Sequence, residues 1–145
     1  LHDLDNKVEM GLKARWNYMD RIFEEIAQTD PRVKELKKKV ERGKEADSDE
    51  KIILGKSVKA ALDEKKAQLA LKILRRFKRL TLDTRQNDPV GDDMFLNAVF
   101  LIDRTREKQF DFLVEDLAEE YDNQADFKLV GPAPPFNFVN IEMKL

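Results

Sequence analysis

The chain contains no cysteine and only one histidine, His2. Without cysteine there can be no disulfide, no thiolate nucleophile and no cysteine-ligated metal. A single histidine cannot supply the pair of imidazoles that many zinc sites use. No apolar run approaches the roughly 18–20 residues that a membrane-spanning helix needs. These absences argue against thiol enzymes, zinc proteins and a membrane partner.

Residues that carry other kinds of catalysis are also scarce or badly placed. Serine occurs only at Ser48 and Ser57, and neither lies in a nucleophile elbow. The five glycines are scattered, so no phosphate-cradling loop is formed. The carboxylate pairs Asp92-Asp93 and Glu119-Glu120 are adjacent in sequence, and adjacent side chains do not converge on one substrate. We therefore expect no enzymatic activity and no catalytic, cofactor-binding or metal site.

Charge is abundant but balanced, with 39% charged residues and a net charge of −2. It is segregated along the chain. Residues Arg32 to Lys44 and Lys72 to Arg79 are mainly basic, whereas Asp111 to Asp126 holds seven acidic residues and no basic one. The basic stretches lack the interleaved aromatic residues typical of nucleic-acid binding. We interpret the segregation as solvated helix faces and expect no nucleic-acid partner.

The first clear element is a strand over Lys7 to Trp16. Apolar and other residues alternate there over ten positions, which is the pattern of a strand buried on one side. The apolar set is Val8, Met10, Leu12, Ala14 and Trp16.

Three helices are expected after this strand. Asn17 is a candidate N-cap for the first, and the proline of Asp30-Pro31 ends it and opens a charged second helix up to Arg42. A third helix begins at Ser48 or Asp49 and runs for about thirty residues, or roughly 45 Å at 1.5 Å per residue. The second and third helices could pair as a helical hairpin over about 31–80.

The second half of the chain predicts three more strands and one helix. Strands are expected over Leu80 to Arg85 and Met94 to Ile102, with a turn-rich segment between them. An amphipathic helix capped by Asp103 or Thr105 follows. A final strand through Phe127 and Leu129 then leads into Gly131.

With the helices after the first strand counted as a hairpin of two, the order β-α-α-β-β-α-β predicts an α+β fold of the ferredoxin-like split βαβ type with an antiparallel sheet. The helical hairpin expands its first crossover. We expect a single domain over 1–145 with a proline-rich C-terminal tail at 131–145. One sheet face should carry the helices, and the other needs water, a partner or a long loop to cover it.

The sharpest local motif is Gly131-Pro132-Ala133-Pro134-Pro135-Phe136. Glycine permits positive φ, while proline fixes φ and cannot donate a ladder hydrogen bond. Pro134 and Pro135 favour an extended polyproline-like form. The structural interpretation is a rigid strand exit that ends in a docked tail. The functional interpretation is an apolar surface with Phe136 and Phe138 as anchors for a partner.

The motif resembles a signature of the gas vesicle protein F/L family, whose second domain typically closes with Gly-Pro-Trp-Pro-Pro-Tyr-x-Phe. The match keeps the glycine, the three prolines and the final phenylalanine, and it departs at Ala133 and Phe136. The strand Leu96 to Ile102 and the opening Val8 to Ala14 are also similar to the family. Family members are usually longer, which implies that an upstream N-terminal domain is missing here.

The resemblance implies an accessory or minor structural protein, located at the gas vesicle in the cytoplasm. Such proteins bind the shell-forming gas vesicle protein A and other accessory proteins, and they assist nucleation and assembly of the vesicle. Candidate residues for partner binding or tail docking are Pro132, Pro134, Pro135, Phe136 and Phe138.

Two other functions stay open at the level of the sequence. One is a ferredoxin-like regulatory or enzymatic domain that binds a small ligand, which would need a pocket with convergent polar groups and a perturbed titratable residue. The other is an adaptor that acts through the helical hairpin, Pro31 to Leu80.

Overall fold

The structure, a computed structural model, describes residues 4–43 and 48–139. Two short 3-10 turns, Arg104–Arg106 and Phe136–Phe138, lie before the last helix and after the last strand. The helices and strands, in chain order, are β1 (Lys7–Trp16), α1 (Met19–Thr29), α2 (Pro31–Arg42), α3 (Ser48–Phe77), β2 (Asp83–Gln86), β3 (Met94–Asp103), α4 (Glu107–Glu120) and β4 (Ala125–Ala133).

The four strands form one antiparallel sheet in the order β2-β3-β1-β4. The alternating pattern predicted β1 with the bounds that the structure shows. Its central residue Gly11 lies opposite Val99 of β3 on one side and opposite Val130 of β4 on the other. A one-residue shift in register would turn every apolar side chain of β1 to the wrong face, so the alternation itself holds this pairing.

One face of the sheet is packed against α4 and the end of α3. Phe77 of α3, Phe100 of β3 and Phe110 of α4 are fully buried, with ring centroids 4.9 to 5.2 Å apart. Rings at these distances attract one another in tilted and edge-on arrangements. The apolar side chains of β1 are buried on the same face, as their alternation predicted.

The chain divides into two compact units, residues 1–17 with 70–145 and residues 18–69. The first contains the sheet, α4 and the end of α3. The second contains α1, α2 and the rest of α3. There the carboxylate of Asp30 caps α2, because it accepts from the backbone N–H groups of Arg32 and Val33 at 3.0 and 3.2 Å. Lys65 of α3 donates to Glu25 of α1 at 2.8 Å.

The strand predicted over Leu80 to Arg85 is shorter and begins later, at Asp83. The N–H of Leu80 donates to the carbonyl of Phe77 at 3.0 Å, so Leu80 belongs to the turn that ends α3. Leu82 donates to the carbonyl of Leu101 at 2.8 Å, just before the ladder begins. The strand starts later than predicted because residues 78–80 still form the turn that ends α3.

Asn17 was a wrong choice for the cap of α1. The cap position is Tyr18, which makes no side-chain cap hydrogen bond. The N–H of Asn17 instead donates to the carbonyl of Gln124 at 2.9 Å, which ties it to the turn before β4. The cap predicted for α4 at Asp103 or Thr105 was also wrong, because the cap position of α4 is Arg106, which makes no side-chain cap hydrogen bond. The carboxylate of Asp103 instead caps the 3-10 turn before α4, where it accepts from the N–H of Thr105 at 3.0 Å.

The structure confirms a fold of mixed helices and strands with a four-stranded antiparallel sheet. The ferredoxin-like assignment, the helical hairpin over about 31–80 and the single domain over 1–145 stay predictions. Part of the predicted tail, residues 140–145, lies outside the described residues.

Candidate partner-binding surface

We use the name open face for the side of the sheet opposite α4. Because successive side chains point to opposite sides of a strand, the residues of β1 that do not face the helices define it. Their cross-strand partners share that face. Its residues include Glu9, Gly11, Lys13, Arg85, Asn97, Val99, Leu101, Lys128 and Val130.

The proline-rich motif begins inside β4 and not after it, since β4 continues to Ala133. At Gly131 the pairing with β1 shifts register, between Glu9 and Gly11. Gly131 has φ +115°, and a Cβ there would lie 2.8 Å from the carbonyl oxygen of Glu9. Backbone atoms cannot move aside cheaply, so this bulge accepts only glycine without strain.

We call residues 134–139, which leave β4 and cross the open face, the strap. Pro135 has φ −80° and ψ 57°, so it is not in the polyproline-like form that the sequence predicted. The N–H of Phe136 donates to the carbonyl of Pro134 at 2.8 Å, and this tight turn bends the strap at the second proline. The 3-10 turn Phe136–Phe138 follows directly.

Two contacts hold the strap to the sheet. Asn137 donates its backbone N–H and its side-chain amide to the two carboxylate oxygens of Glu9, at 2.9 and 2.7 Å. Phe138 is buried, and its ring lies 5.3 Å from the guanidinium of Arg85, within range of a cation–π contact. Glu9 and Arg85 lie on strands that flank β3, so the strap passes over β3. It crosses near Leu101, which is fully buried although it lies on the open face.

The five residues predicted for partner binding or tail docking occupy different environments. Phe138 is buried against the sheet, whereas Phe136 is 75% exposed although its neighbours in the strap are anchored. Pro132 and Pro134 are exposed and Pro135 is half-buried. We call the exposed Pro132, Pro134 and Phe136 the ledge.

A groove of about 390 Å³ lies along the inner side of the ledge. Pro132, Ala133, Pro134 and Pro135 form one wall. The opposite wall comes from the start of β1, with Arg104 and Glu107 at one end. The groove is shallow and open, as expected for a surface that accepts a chain segment rather than a small enclosed ligand.

Glu9, Asn137 and Arg85 were not singled out in the sequence, although all three shape this surface. The alternation placed Glu9 and Gly11 on the side of β1 opposite its apolar residues, where a glycine can allow another backbone to approach closely. Their position opposite β4 follows from the register, which no local pattern reveals. The available signal for the contact between Glu9 and Asn137 was weak. It consisted of a charged residue on the less apolar face of a strand and an asparagine in a proline-rich tail much later in the chain.

Asp103 is a titratable group with a clear shift. The N–H of Thr105 and the Lys7 ammonium, 3.0 Å away, lower the pKa of the Asp103 carboxyl from 3.8 to about 2. This carboxylate caps the turn before α4 and pairs with β1, so its environment is explained by structure alone. Across residues 4–43 and 48–139, no group of three His, Cys, Asp or Glu side chains could hold a metal ion.

The family model of gas vesicle synthesis protein GvpL/GvpF matches residues 1–140. The chain belongs to this family. Membership associates it with gas vesicles and confirms the resemblance seen in the proline-rich motif. It also gives the tail a family context, since the matched range includes the ledge and the strap.

Three curated relatives are similar to this chain. Gas vesicle protein F of Haloferax mediterranei is 31% identical over 68 residues, which are 47% of this chain and 32% of that protein. Gas vesicle protein F1 of Halobacterium salinarum is 33% identical over 64 residues, 44% of this chain and 30% of that protein. Gas vesicle protein F of a Streptomyces species is 25% identical over 139 residues, 96% of this chain and 57% of that protein.

Two crystal structures share the fold. GvpF from an Anabaena species superposes with a TM-score of 0.83 at 23% identity, over 96% of this chain and 56% of that one. GvpF from Microcystis aeruginosa gives a TM-score of 0.72 at 21% identity, over 95% of this chain and 56% of that one. The chain thus spans between about a third and little more than half the length of these relatives.

Proposed function

We propose that this chain is a non-catalytic accessory protein of gas vesicle assembly, and that its ledge contacts the shell-forming gas vesicle protein A. The contact would assist nucleation and growth of the shell, together with other accessory proteins. The observation that carries the proposal is the exposed ring of Phe136. The strap that bears it is held to the sheet by the next two residues, Asn137 and Phe138.

The anchoring of the strap supports a binding role for Phe136. An aromatic residue whose backbone is already held in place loses less conformational freedom when it meets a partner, so more of its contact energy appears as affinity. Aromatic residues presented in this way are frequent hot spots of interfaces. The prolines beside it also lose little conformational freedom on binding, because their rings fix φ. A small hydrophobic shell protein offers the apolar surface that such a ledge needs.

Co-purification of the shell protein with tagged chain tests this proposal. We expect Phe136→Ser to lose most of the captured shell protein. The matched control is Phe112→Ser, which removes an equally large ring that is 64% exposed on α4. It should capture as much shell protein as the parent chain does. The comparison is made at a salt concentration at which the Phe112→Ser variant and the parent chain are both monomeric.

Phe138→Ala supplies a second comparison, because it releases the strap while Phe136 remains in the chain. Capture should fall here as well, since the ledge is then no longer held. Equal capture by the parent chain and by a folded Phe136→Ser variant would contradict the proposal, as would the absence of capture by the parent.

A further inference from the structure

Gly11 is a residue that the fold itself does not require. Its φ lies outside the positive range occupied by Gly91 and Gly131. A Cβ at Gly11 would meet Cβ and the carbonyl oxygen of Val130 at 3.6 and 3.8 Å, which is ordinary van der Waals contact. Glycine weakens the interior of a strand, and it often marks a place where another molecule approaches closely. Gly11 therefore points to an approach on the open face.

The missing side chain at Gly11 creates an apolar slot. Val99 and Val130 lie directly opposite Gly11 on the two neighbouring strands, and they form the walls. Val130 is 51% exposed. The slot is part of a cavity of about 320 Å³. Glu9 and Ala133 line the end of this cavity that is nearer the strap, and Lys13 lines the other end. It is large enough for one aromatic side chain.

Positive charge lies at the Lys13 end of the slot. Lys13 pairs directly with Lys128 of β4, so two lysine side chains leave neighbouring positions of the open face. Like charges in directly opposite positions destabilise a sheet. Neither lysine forms an ion pair with another residue of the described part of the chain. A partner that brings carboxylates here would relieve this repulsion.

The outer face of α4 has the complementary features. Phe112 is 64% exposed there, in a helix where Phe110 and Val114 are buried against the sheet. Glu115 and Asp116 follow Phe112 by three and four residues, so they share its face of the helix. Both are exposed, and the only basic residue of α4 is Lys108, one turn earlier.

We propose that the slot accepts Phe112 from a second copy of this chain, with Glu115 and Asp116 of that copy against Lys13 and Lys128. The proposal uses none of the ledge residues, so it does not depend on the contact with shell protein. The slot and Phe112 lie on opposite sides of the same unit. The contact is therefore head to tail, and copies would add into rows or rings rather than close as symmetric pairs.

Sedimentation velocity over a concentration series at low and high salt tests the self-association. The parent chain should associate at low salt and dissociate as salt screens the charges. Gly11→Val fills the slot with a side chain suited to strands, and it should raise the dissociation constant by about tenfold or more, as loss of an interface hot spot does. Gly55→Ala is the matched control, because an added Cβ there meets no atom within 4 Å. Its association should equal that of the parent.

Charge reversal at both surfaces gives a sharper test. The double variants Lys13→Glu/Lys128→Glu and Glu115→Lys/Asp116→Lys should each remain monomeric when alone, because both of their surfaces then carry the same sign. Mixed together, they should associate again, since each surface meets its opposite in the other variant. Circular dichroism checks that both are folded. A parent chain that stays monomeric at every concentration would overturn the proposal, and so would a folded Gly11→Val variant that associates like the parent or a mixture that fails to associate.

Discussion

The two faces of the sheet differ in what their side chains are for. On the helix-covered face, β1 contributes five buried apolar residues to a core that includes the ring cluster of Phe77, Phe100 and Phe110. On the open face the same strand contributes Glu9, Gly11 and Lys13. Glu9 accepts hydrogen bonds from Asn137, Gly11 has no side chain, and Lys13 forms no ion pair within the described residues. The helix-covered face is a continuous apolar surface, as expected of a face that serves stability. The open face mixes charged and apolar side chains, as expected of a face that serves specific binding.

The contrast between the two faces indicates which residues of the sheet serve something other than stability. Burial explains nearly every side chain on the helix-covered face. On the open face, three features need another explanation: an exposed ring on an anchored strap, a glycine that its strand does not need, and two adjacent lysines. Substitutions on the two faces should therefore separate stability from binding.

The largest effect is expected on the helix-covered face. Phe100→Ala removes a fully buried ring that touches both Phe77 and Phe110. It should lower the free energy of unfolding by about 3–5 kcal/mol, through lost burial and the cavity left behind. Urea denaturation followed by circular dichroism measures this value. A loss below about 1 kcal/mol would mean that the ring cluster is not the centre of the core.

The two glycines of the β1–β4 pair should respond differently to replacement by alanine. Gly131→Ala places a Cβ against the carbonyl of Glu9 at positive φ, and it should cost about 1–3 kcal/mol. Gly11→Ala should leave stability unchanged or raise it by up to about 1 kcal/mol, because alanine fits there and restricts the unfolded chain. Parallel urea titrations compare the two. Equal losses would show that both glycines are needed by the fold.

The two phenylalanines of the strap should also differ. Phe138→Ala removes a buried ring and should cost about 2 kcal/mol, or less if the strap detaches without unfolding of the sheet. Phe136→Ala should change stability by less than about 0.5 kcal/mol, as is usual for an exposed position. Thermal melts of both variants provide the comparison. A Phe136→Ala variant less stable than Phe138→Ala would reverse the roles assigned here.

The smallest effect concerns pH and the cap of the turn before α4. The pKa of Asp103 is lower in the folded chain, about 2, than its ordinary value of 3.8. Its charged form therefore stabilises the fold above about pH 4, and this contribution is lost as pH falls from 3.8 towards 2. Asp103→Asn keeps a capping side chain but not the charge. Its melting temperature should lie below that of the parent at pH 7, and the two should converge near pH 2.

Much of the fold was predictable from sequence because its signals are local. The alternation over Lys7 to Trp16 and the long helix from Ser48 follow from periodicity, and both match the structure. The predicted start of β2 at Leu80 was wrong because the turn that ends α3 includes Leu80, and no local pattern marks where that turn gives way to the strand. The site was predictable only in part: the motif identified the tail, whereas its partner Glu9 and the slot at Gly11 depend on register.

Hydrogen exchange of this chain with and without gas vesicle shell protein shows whether the ledge contacts the shell protein. We expect slower exchange at the backbone amides of Ala133 and of Phe136 to Phe138 when shell protein is present, with little change in α1 and α2. Protection confined to α1, α2 and the first part of α3 would contradict this expectation, and would instead favour an adaptor that acts through its helices.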